Sequence, residues 1–179
     1  MKVGLDISSK GYFVIMNGNT IYDMCQVPQK NDVGYYDAMR VYGWLSCHKK
    51  NIEKVIIEQP LMQTANPTTI MAISSMFKML GIIICLLDLL CIDYELVSVG
   101  TWRKKYNYKK LSKDDTAFIL KNKQKGTKKT AGQVKREFAK LESIRIAEEL
   151  VPNIKDWYIP PRCRVINDDI VESALIGMY

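Results

Sequence analysis

Apolar and polar residues alternate from the start of the chain: Val3, Leu5 and Ile7 are separated by Gly4 and Asp6. A period of two predicts a strand over Met1–Ser8 with one buried face. Gly11–Met16 (GYFVIM) predicts a second strand and Thr20–Val27 a third. Asn17-Gly18-Asn19 between them is a hairpin signal, because Asn and Gly tolerate the positive φ of tight hairpin turns. Three neighbouring strands predict an antiparallel meander.

The period then changes. Tyr35–Lys50 carries Ala38, Val41, Tyr42, Leu45 and Cys47 at helical spacing, whereas Ile52–Glu58 (IEKVIIE) reads as an apolar strand interior to the sheet, ended by Gln59-Pro60. Thr68–Leu90 predicts a long helix that is apolar on more than one face, and Glu95–Val99 a fifth strand. Trp102–Tyr106 and Lys113–Lys123 read as short helical pieces, and Lys121–Thr130 as a loop. Arg136–Leu150 predicts an amphipathic helix with Phe138, Leu141, Ile144, Ala147 and Leu150 on its stripe. Pro152–Arg164 reads as loop and Asn167–Met178 as a closing helix with an acidic first turn. Five strands interleaved with helices predict an α/β fold, a mixed sheet with an antiparallel first part and flanking helices, in a single domain over residues 1–179.

Composition narrows the class. With 47% hydrophobic residues in 179, the chain can bury a core, which excludes a disordered tail, a collagen-like repeat or a disulfide-stapled miniprotein. Cys25, Cys47, Cys85, Cys91 and Cys163 form no CxxC pair, and with the single His48 they give no zinc-site spacing. Cys85 and Cys91 read as small buried hydrophobes, and His48 as a surface residue with no role. MKVGLDISSK is too short and polar for a signal peptide. The apolar run Met79–Leu87 stops at Asp88, which reads as too short to span a bilayer. The expectation is a soluble protein of a reducing compartment, the cytoplasm, or the host cytoplasm for a viral or phage chain.

Charge is segregated. Residues Thr101–Lys140 hold 14 of the 26 Lys and Arg but three acids (Asp114, Asp115, Glu137), a local net charge of +11 within an overall +7. The remainder is mildly acidic, so one region can grip a polyanion. Tyr106 and Tyr108 interleave these bases, where packing is favoured over stacking on unpaired bases.

The acids sit where structure alone would not place them. Asp6 falls within the first predicted strand, where propensity disfavours it and unpaired burial is expensive. Glu58 ends the apolar strand, at the edge where α/β proteins gather their chemistry. Asp168, Asp169 and Glu172 form D-D-x-x-E, and spacings of three and four put Glu172 on a face with either aspartate. Each has a structural reading: a turn-bonding Asp6, a solvated Glu58, an N-capping Asp168 with Asp169 and Glu172 favoured by the positive helix end. One shared cause covers all of them if the first strand, fourth strand and last helix meet. Crowded carboxylates need a compensating cation, and an oxygen-only donor set points to Mg²⁺ or Mn²⁺. Two such ions about 3.5–4 Å apart would clamp the attacking and leaving oxygens of an in-line phosphoryl displacement.

Taken in order, LDIS, VIIEQP, the apolar helix opening near NPTTIMA, ELVSVGTWRKKY and NDDIVESALIGMY resemble the RuvC-type Holliday-junction resolvases. The resemblance is nearest to their phage and poxvirus branch and extends to the yeast mitochondrial cruciform-cutting enzymes. It implies a ribonuclease H-like fold, a homodimer, and symmetric cleavage of four-way DNA junctions with two divalent metals per active site. By position, Asp6 matches the first-strand aspartate of the family, Glu58 the fourth-strand glutamate, and Asp169 with Glu172 the closing acidic pair, Asp168 being the alternative to Asp169. Glu172 stands where many members carry aspartate. Trp102–Lys105 matches a region often ending in a basic pair, so that Lys104 or Lys105 would touch the scissile phosphate. Arg103, Lys104, Lys105, Lys109, Lys110, Lys121, Lys123, Lys125, Lys128 and Lys129 are the expected DNA contacts. Residues 121–140 align with no family motif, and their role rests on charge.

Three rivals remain open: a ribonuclease H-like nuclease for other nucleic acids, a structure-selective DNA-binding protein that does not cut, and an actin-like ATPase suggested by GLDIS. The last lacks room for a duplicated second half and a second glycine-rich phosphate loop. Replacing Lys121, Lys123, Lys125, Lys128 and Lys129 by Gln is expected to weaken DNA binding and to flatten its salt dependence, by about 0.9 in log–log slope for each phosphate that is no longer neutralised. An unchanged slope in a salt titration would take this segment out of the interface.

Overall fold

β1 (Lys2–Leu5) joins the two halves of the sheet, pairing antiparallel with β2 (Tyr12–Asn17) on one side and parallel with β4 (Lys54–Glu58) on the other. In this computed structural model, which describes residues 1–8, 11–27, 36–60, 67–109, 111–113, 116, 130–158 and 167–179, β3 (Thr20–Gln26) and β5 (Asp93–Val97) complete the five-stranded order β3-β2-β1-β4-β5. The sheet is mixed and its first three strands are antiparallel, as the pattern predicts. Asn17 pairs with Thr20 across the hairpin, and Gly18 takes the positive φ of 62° that the turn requires. Ile57 lies opposite Leu5, so Asp6 and Glu58, each one residue further on, lie at the same end of the sheet.

Alternation along β1 sorts its neighbours between two layers. Val3, Leu5 and Ile7 face a core shared with α1 (Ala38–His48) and α2 (Pro67–Leu90). Gly4 faces the opposite layer, built from α3 (Val99–Lys105), α4 (Ala131–Leu150), α5 (Ile154–Tyr158) and α6 (Asp168–Gly177). Ile56 joins that second core, so the same alternation turns Glu58 towards it. The helices start where side chains satisfy their orphan amides. Asp37 accepts from the Arg40 N–H, Ser98 from Thr101, and Asn167 from Asp169, while Thr130 and Gln133 form a reciprocal capping box.

The seat of α6 on β1 leaves room for no side chain. A Cβ on Gly4 would lie 1.8 Å from the Ser173 carbonyl oxygen and 2.3 Å from the Gly177 nitrogen. The reciprocal Cβ on Gly177 would lie 2.9 Å from the Gly4 nitrogen. Two backbones in contact place the acidic first turn of α6 beside the end of β1.

Several expectations change. β1 ends at Leu5, so Asp6 lies just past the strand rather than inside it. α4 begins at Ala131 and buries Val134, Glu142, Ser143, Ile146 and Ala147, whereas Leu141 of the predicted stripe is 64% exposed. Its inward face carries Ser143, which bonds Glu172, and Glu142, which bonds Arg145 and the Lys109 amide, and an apolar spacing rule cannot see either. Tyr42 and Cys47 on α1 are exposed, with Val41 and Leu45 making the buried contact. Cys85 and Cys91 are exposed rather than buried. His48 is half-buried, 3.2 Å from an Asp23 carboxylate oxygen and packed on Trp44. Asp88 does not limit the apolar helix: Ile70–Leu90 is long and apolar enough, by length and composition, to cross a membrane. In the fold, Met79, Ile83 and Leu87 of that helix are buried in the first core, while Ile70, Met71 and Leu89 are exposed. Gly81 meets no other backbone within the described residues. Lys121–Lys129 and part of the predicted Lys113–Lys123 helix lie outside the described residues.

Gly4→Ala is expected to prise α6 from β1 and lower the thermal unfolding midpoint by about 6 °C or more, since overpacking costs about 1–3 kcal/mol even where side chains can yield. A calorimetric midpoint equal to wild type would contradict this seating.

Candidate active site

Asp6, at the end of β1, has its backbone N–H donating to Ser173 Oγ of α6 at 3.3 Å. Its carboxyl is pushed well above the usual range, first by burial and then by the negative charges of Glu58, Glu172 and Asp169; Arg103 partly opposes them. Three further acids from two other elements therefore act on one half-buried carboxylate.

Each neighbour is held by specific donors. The Trp102 indole Nε1–H donates to Glu58 Oε2 at 2.6 Å. Burial raises the Glu58 carboxyl, the Trp102 bond opposes that rise, Glu172 adds to it and Arg103 again offsets. Glu172 is only 8% exposed, and its Oε1 accepts from Arg103 Nη2 at 2.7 Å and from Ser143 Oγ at 2.9 Å. Asp169 is ordered through its backbone N–H, which donates to the Asn167 side chain at 3.1 Å. Asp168 turns instead to α4, where it is ion-paired with Lys140. Of the two aspartates that the sequence leaves open, Asp169 shares the field at Asp6, while Asp168 stands in a separate pair.

Among the described residues, no three Asp, Glu, His or Cys side chains already form a cation-ligating group. Trp102 holds Glu58, and Arg103 with Ser143 holds Glu172. The donor set nevertheless suits a hard divalent ion, since it offers carboxylate oxygens alone and its charges destabilise one another unless a cation joins them.

The bases divide. Arg103 points into the acidic site, its guanidinium 5.0 Å from the Trp102 ring centroid and 5.4 Å from that of Tyr108. Lys105 Nζ donates to the Met178 and Tyr179 carbonyl oxygens at 2.8 and 2.9 Å, at the far end of α6, about 15 Å from the acidic turn. Lys104 and Lys109 are exposed. Lys110, Lys121, Lys123, Lys125, Lys128 and Lys129 lie outside the described residues. Tyr106 donates to the Leu175 carbonyl at 2.6 Å and Tyr108 bonds Ser143 Oγ at 3.0 Å, so both rings pack within the fold.

Sequence reasoning missed Trp102, Ser143, Lys140 and Tyr36 as site-shaping residues. A fully buried Trp102 in a run of bases carried a faint signal; Ser143, a small polar residue in a charged helix, carried none. Tyr36 Oη donates to the Ser8 carbonyl at 3.0 Å and fixes the chain just beyond Asp6. A Cβ on Gly11 would lie 2.6 Å from the Asp6 carbonyl oxygen, so the return into β2 needs glycine.

The sheet order and flanking helices define a ribonuclease H-like fold. Among solved structures, RuvC of T. thermophilus in complex with a Holliday junction substrate matches with a TM-score of 0.54 at 9% identity, covering 99% of this chain and 90% of that one. A second Thermus thermophilus RuvC structure gives 0.40 at 9% identity, covering 81% of this chain and 95% of that one. Ydc2, the yeast mitochondrial Holliday junction resolvase, gives 0.47 at 16% identity, covering 99% of this chain and 75% of that one. The latter two scores fall below the level at which a shared fold follows. No protein-family model and no curated protein matches the sequence. The chain thus has the fold of RuvC, as the resemblance read from its motifs implies.

A buried Asp whose folded-state pKa exceeds its unfolded value binds protons more tightly when folded. Its contribution to stability is present at low pH and is lost as pH rises from the ordinary 3.8 through the raised folded value. Metal-free protein in EDTA is expected to lose stability over that window. Asp6→Asn is expected to remove this part of the loss and to melt above wild type at neutral pH. Coincident melting profiles of the two proteins from about pH 4 to about pH 8 would contradict the crowding of Asp6 among like charges.

Proposed function

We propose that this chain is a metal-dependent endonuclease that resolves four-way DNA junctions. The observation that carries the reading is the half-buried Asp6 carboxyl, which the β1–β4 register places at the same sheet end as Glu58 and which sits in the combined field of Glu58, Asp169 and Glu172. An acidic centre in a chain with a separate strongly basic segment suits hydrolysis of a polyanion's backbone. The RuvC structure of the same fold is in complex with a Holliday junction substrate, which supports branched DNA as the partner.

Asp6, Glu58, Asp169 and Glu172 would hold divalent ions, Mg²⁺ or in its place Mn²⁺, two per site, with Asp168 at the margin. Bound there, two such ions would supply Lewis-acid activation of water and charge neutralisation at the leaving 3′ oxygen, giving 5′-phosphate ends. The protein's own groups prepare that site. The Trp102 indole fixes the orientation of Glu58, Ser143 fixes that of Glu172, and the Gly4–Gly177 contact sets the distance between β1 and α6. Lys104 and Lys109, exposed on the same chain segment as Arg103, would contact phosphates; Lys110 and the lysines from Lys121 to Lys129 would add to them by charge.

Two symmetric cuts call for two active sites, hence a homodimer. The outward side of α2 is the surface for it: Ile70, Met71 and Leu89 are exposed, and an apolar groove runs beside Gly81, Ile82, Cys85 and Leu86. The free thiols of Cys25, Cys47, Cys85 and Cys91 suit a reducing compartment such as the cytoplasm.

Incubation of wild type with a four-way junction, a linear duplex and an RNA–DNA hybrid, in Mg²⁺ and in EDTA, separates this reading from its rivals. Cleavage of the junction alone, in Mg²⁺ alone, is expected. Asp6→Asn should lower that cleavage by about a hundredfold or more while binding the junction as wild type does. Cutting of the hybrid in preference to the junction would point to a nuclease for other nucleic acids. Binding without cutting in any divalent metal would make the chain a junction-binding protein.

A further inference from the structure

Arg103 is an unusual neighbour for a set of carboxylates meant for metal. It closes the last turn of α3, yet its guanidinium turns inward and bonds Glu172 Oε1 at 2.7 Å. It lies against the rings of Trp102 and Tyr108, the same Trp102 whose indole holds Glu58. Its positive charge also reaches Asp6 and Glu58, where it opposes the mutual repulsion of the acids. One side chain thus acts electrostatically on three of the four acids.

Its own bonding is incomplete. Arg103 Nε is buried and meets no acceptor among the described residues. A guanidinium offers five N–H donors in a fixed fork, and a buried donor left unmatched disfavours the arrangement that buries it. Glu172 Oε1, in turn, has both lone-pair positions taken, by Arg103 and by Ser143. A cation approaching that oxygen finds it occupied, and two cations at one carboxylate repel.

We propose that Arg103 is the resident counter-cation of the metal-free cradle: it neutralises Glu172 until a divalent ion arrives, and the ion displaces it. The proposal rests on the reading of Asp6, Glu58, Asp169 and Glu172 as cation ligands. Arg103 then sets the concentration of metal at which the site fills, by competing for Glu172. It is a positioning residue for the acids rather than a surface contact for DNA.

Calorimetric titration of Mn²⁺ into wild type, Arg103→Gln and Asp6→Asn, without DNA, tests it. Arg103→Gln is expected to bind Mn²⁺ about tenfold tighter than wild type, the scale of one charge-assisted bond, and Asp6→Asn to bind far more weakly. Affinity in Arg103→Gln equal to or below wild type overturns the proposal while the cradle stands, provided wild type binds and Asp6→Asn does not. Wild type that binds no Mn²⁺, or Asp6→Asn that binds it as wild type does, overturns the cradle itself and the proposal with it. A second measurement needs no variant. Phenylglyoxal modification of wild type, mapped by mass spectrometry, should proceed several-fold faster at Arg103 when Mg²⁺ is saturating. A rate at Arg103 that Mg²⁺ leaves unchanged or slows overturns displacement even if Arg103→Gln fails to fold.

Discussion

The contact between β1 and α6 governs the rest of the molecule. Gly4 and Gly177 let two backbones meet where any side chain would intrude, and the Ser173 hydroxyl then bonds the Asp6 amide. Because α6 begins with Asp168 and Asp169 and carries Glu172 one turn later, that seating delivers acids from the C-terminal part of the chain to an aspartate near its beginning. Parallel pairing of β1 with β4 brings Glu58 to the same end. Local chemistry decides which atoms converge, but the two glycines decide that they can.

The convergence is electrostatically unfavourable taken alone. Partial burial removes some of the water that would screen Asp6, and three more carboxylates oppose its ionisation. The structure answers with donors: the Trp102 indole on Glu58, Ser143 and Arg103 on Glu172, Lys140 on Asp168. These partners come from α3 and α4, the helices that cover the second face of the sheet. The layer that buries the acids is therefore also the layer that stabilises them, and strained electrostatics at a sheet edge is a common mark of a functional site.

Much of this is legible in the sequence, for identifiable reasons. Strict alternation in β1 and the Asn-Gly turn give the meander, and the apolar run ending at Glu58 gives an interior strand, because burial leaves its mark on every second residue. Asp6 and Glu58 stand out because carboxylates are costly in apolar strands. What the sequence does not show depends on long-range partners. The stripe of α4 escapes an apolar spacing rule because Glu142 and Ser143 are turned inward to bond Arg145 and Lys109, and Tyr108 and Glu172, respectively. Arg103 and Lys105 look alike among the bases of WRKKY. Helical geometry sends one to the acids and the other to the carbonyl end of α6. Cys85 and Cys91 read as buried because their segment is apolar, yet the helix and the turn after it turn them outward.

In the proposed function, acids from the ends of β1 and β4 and the start of α6 form a single cradle for divalent metal. Crystals of the wild-type protein soaked in Mn²⁺ and measured at the manganese absorption edge test it most directly. Anomalous density is expected among the carboxylates of Asp6, Glu58, Asp169 and Glu172. Manganese bound only elsewhere on the surface, with these four side chains unliganded, would contradict it.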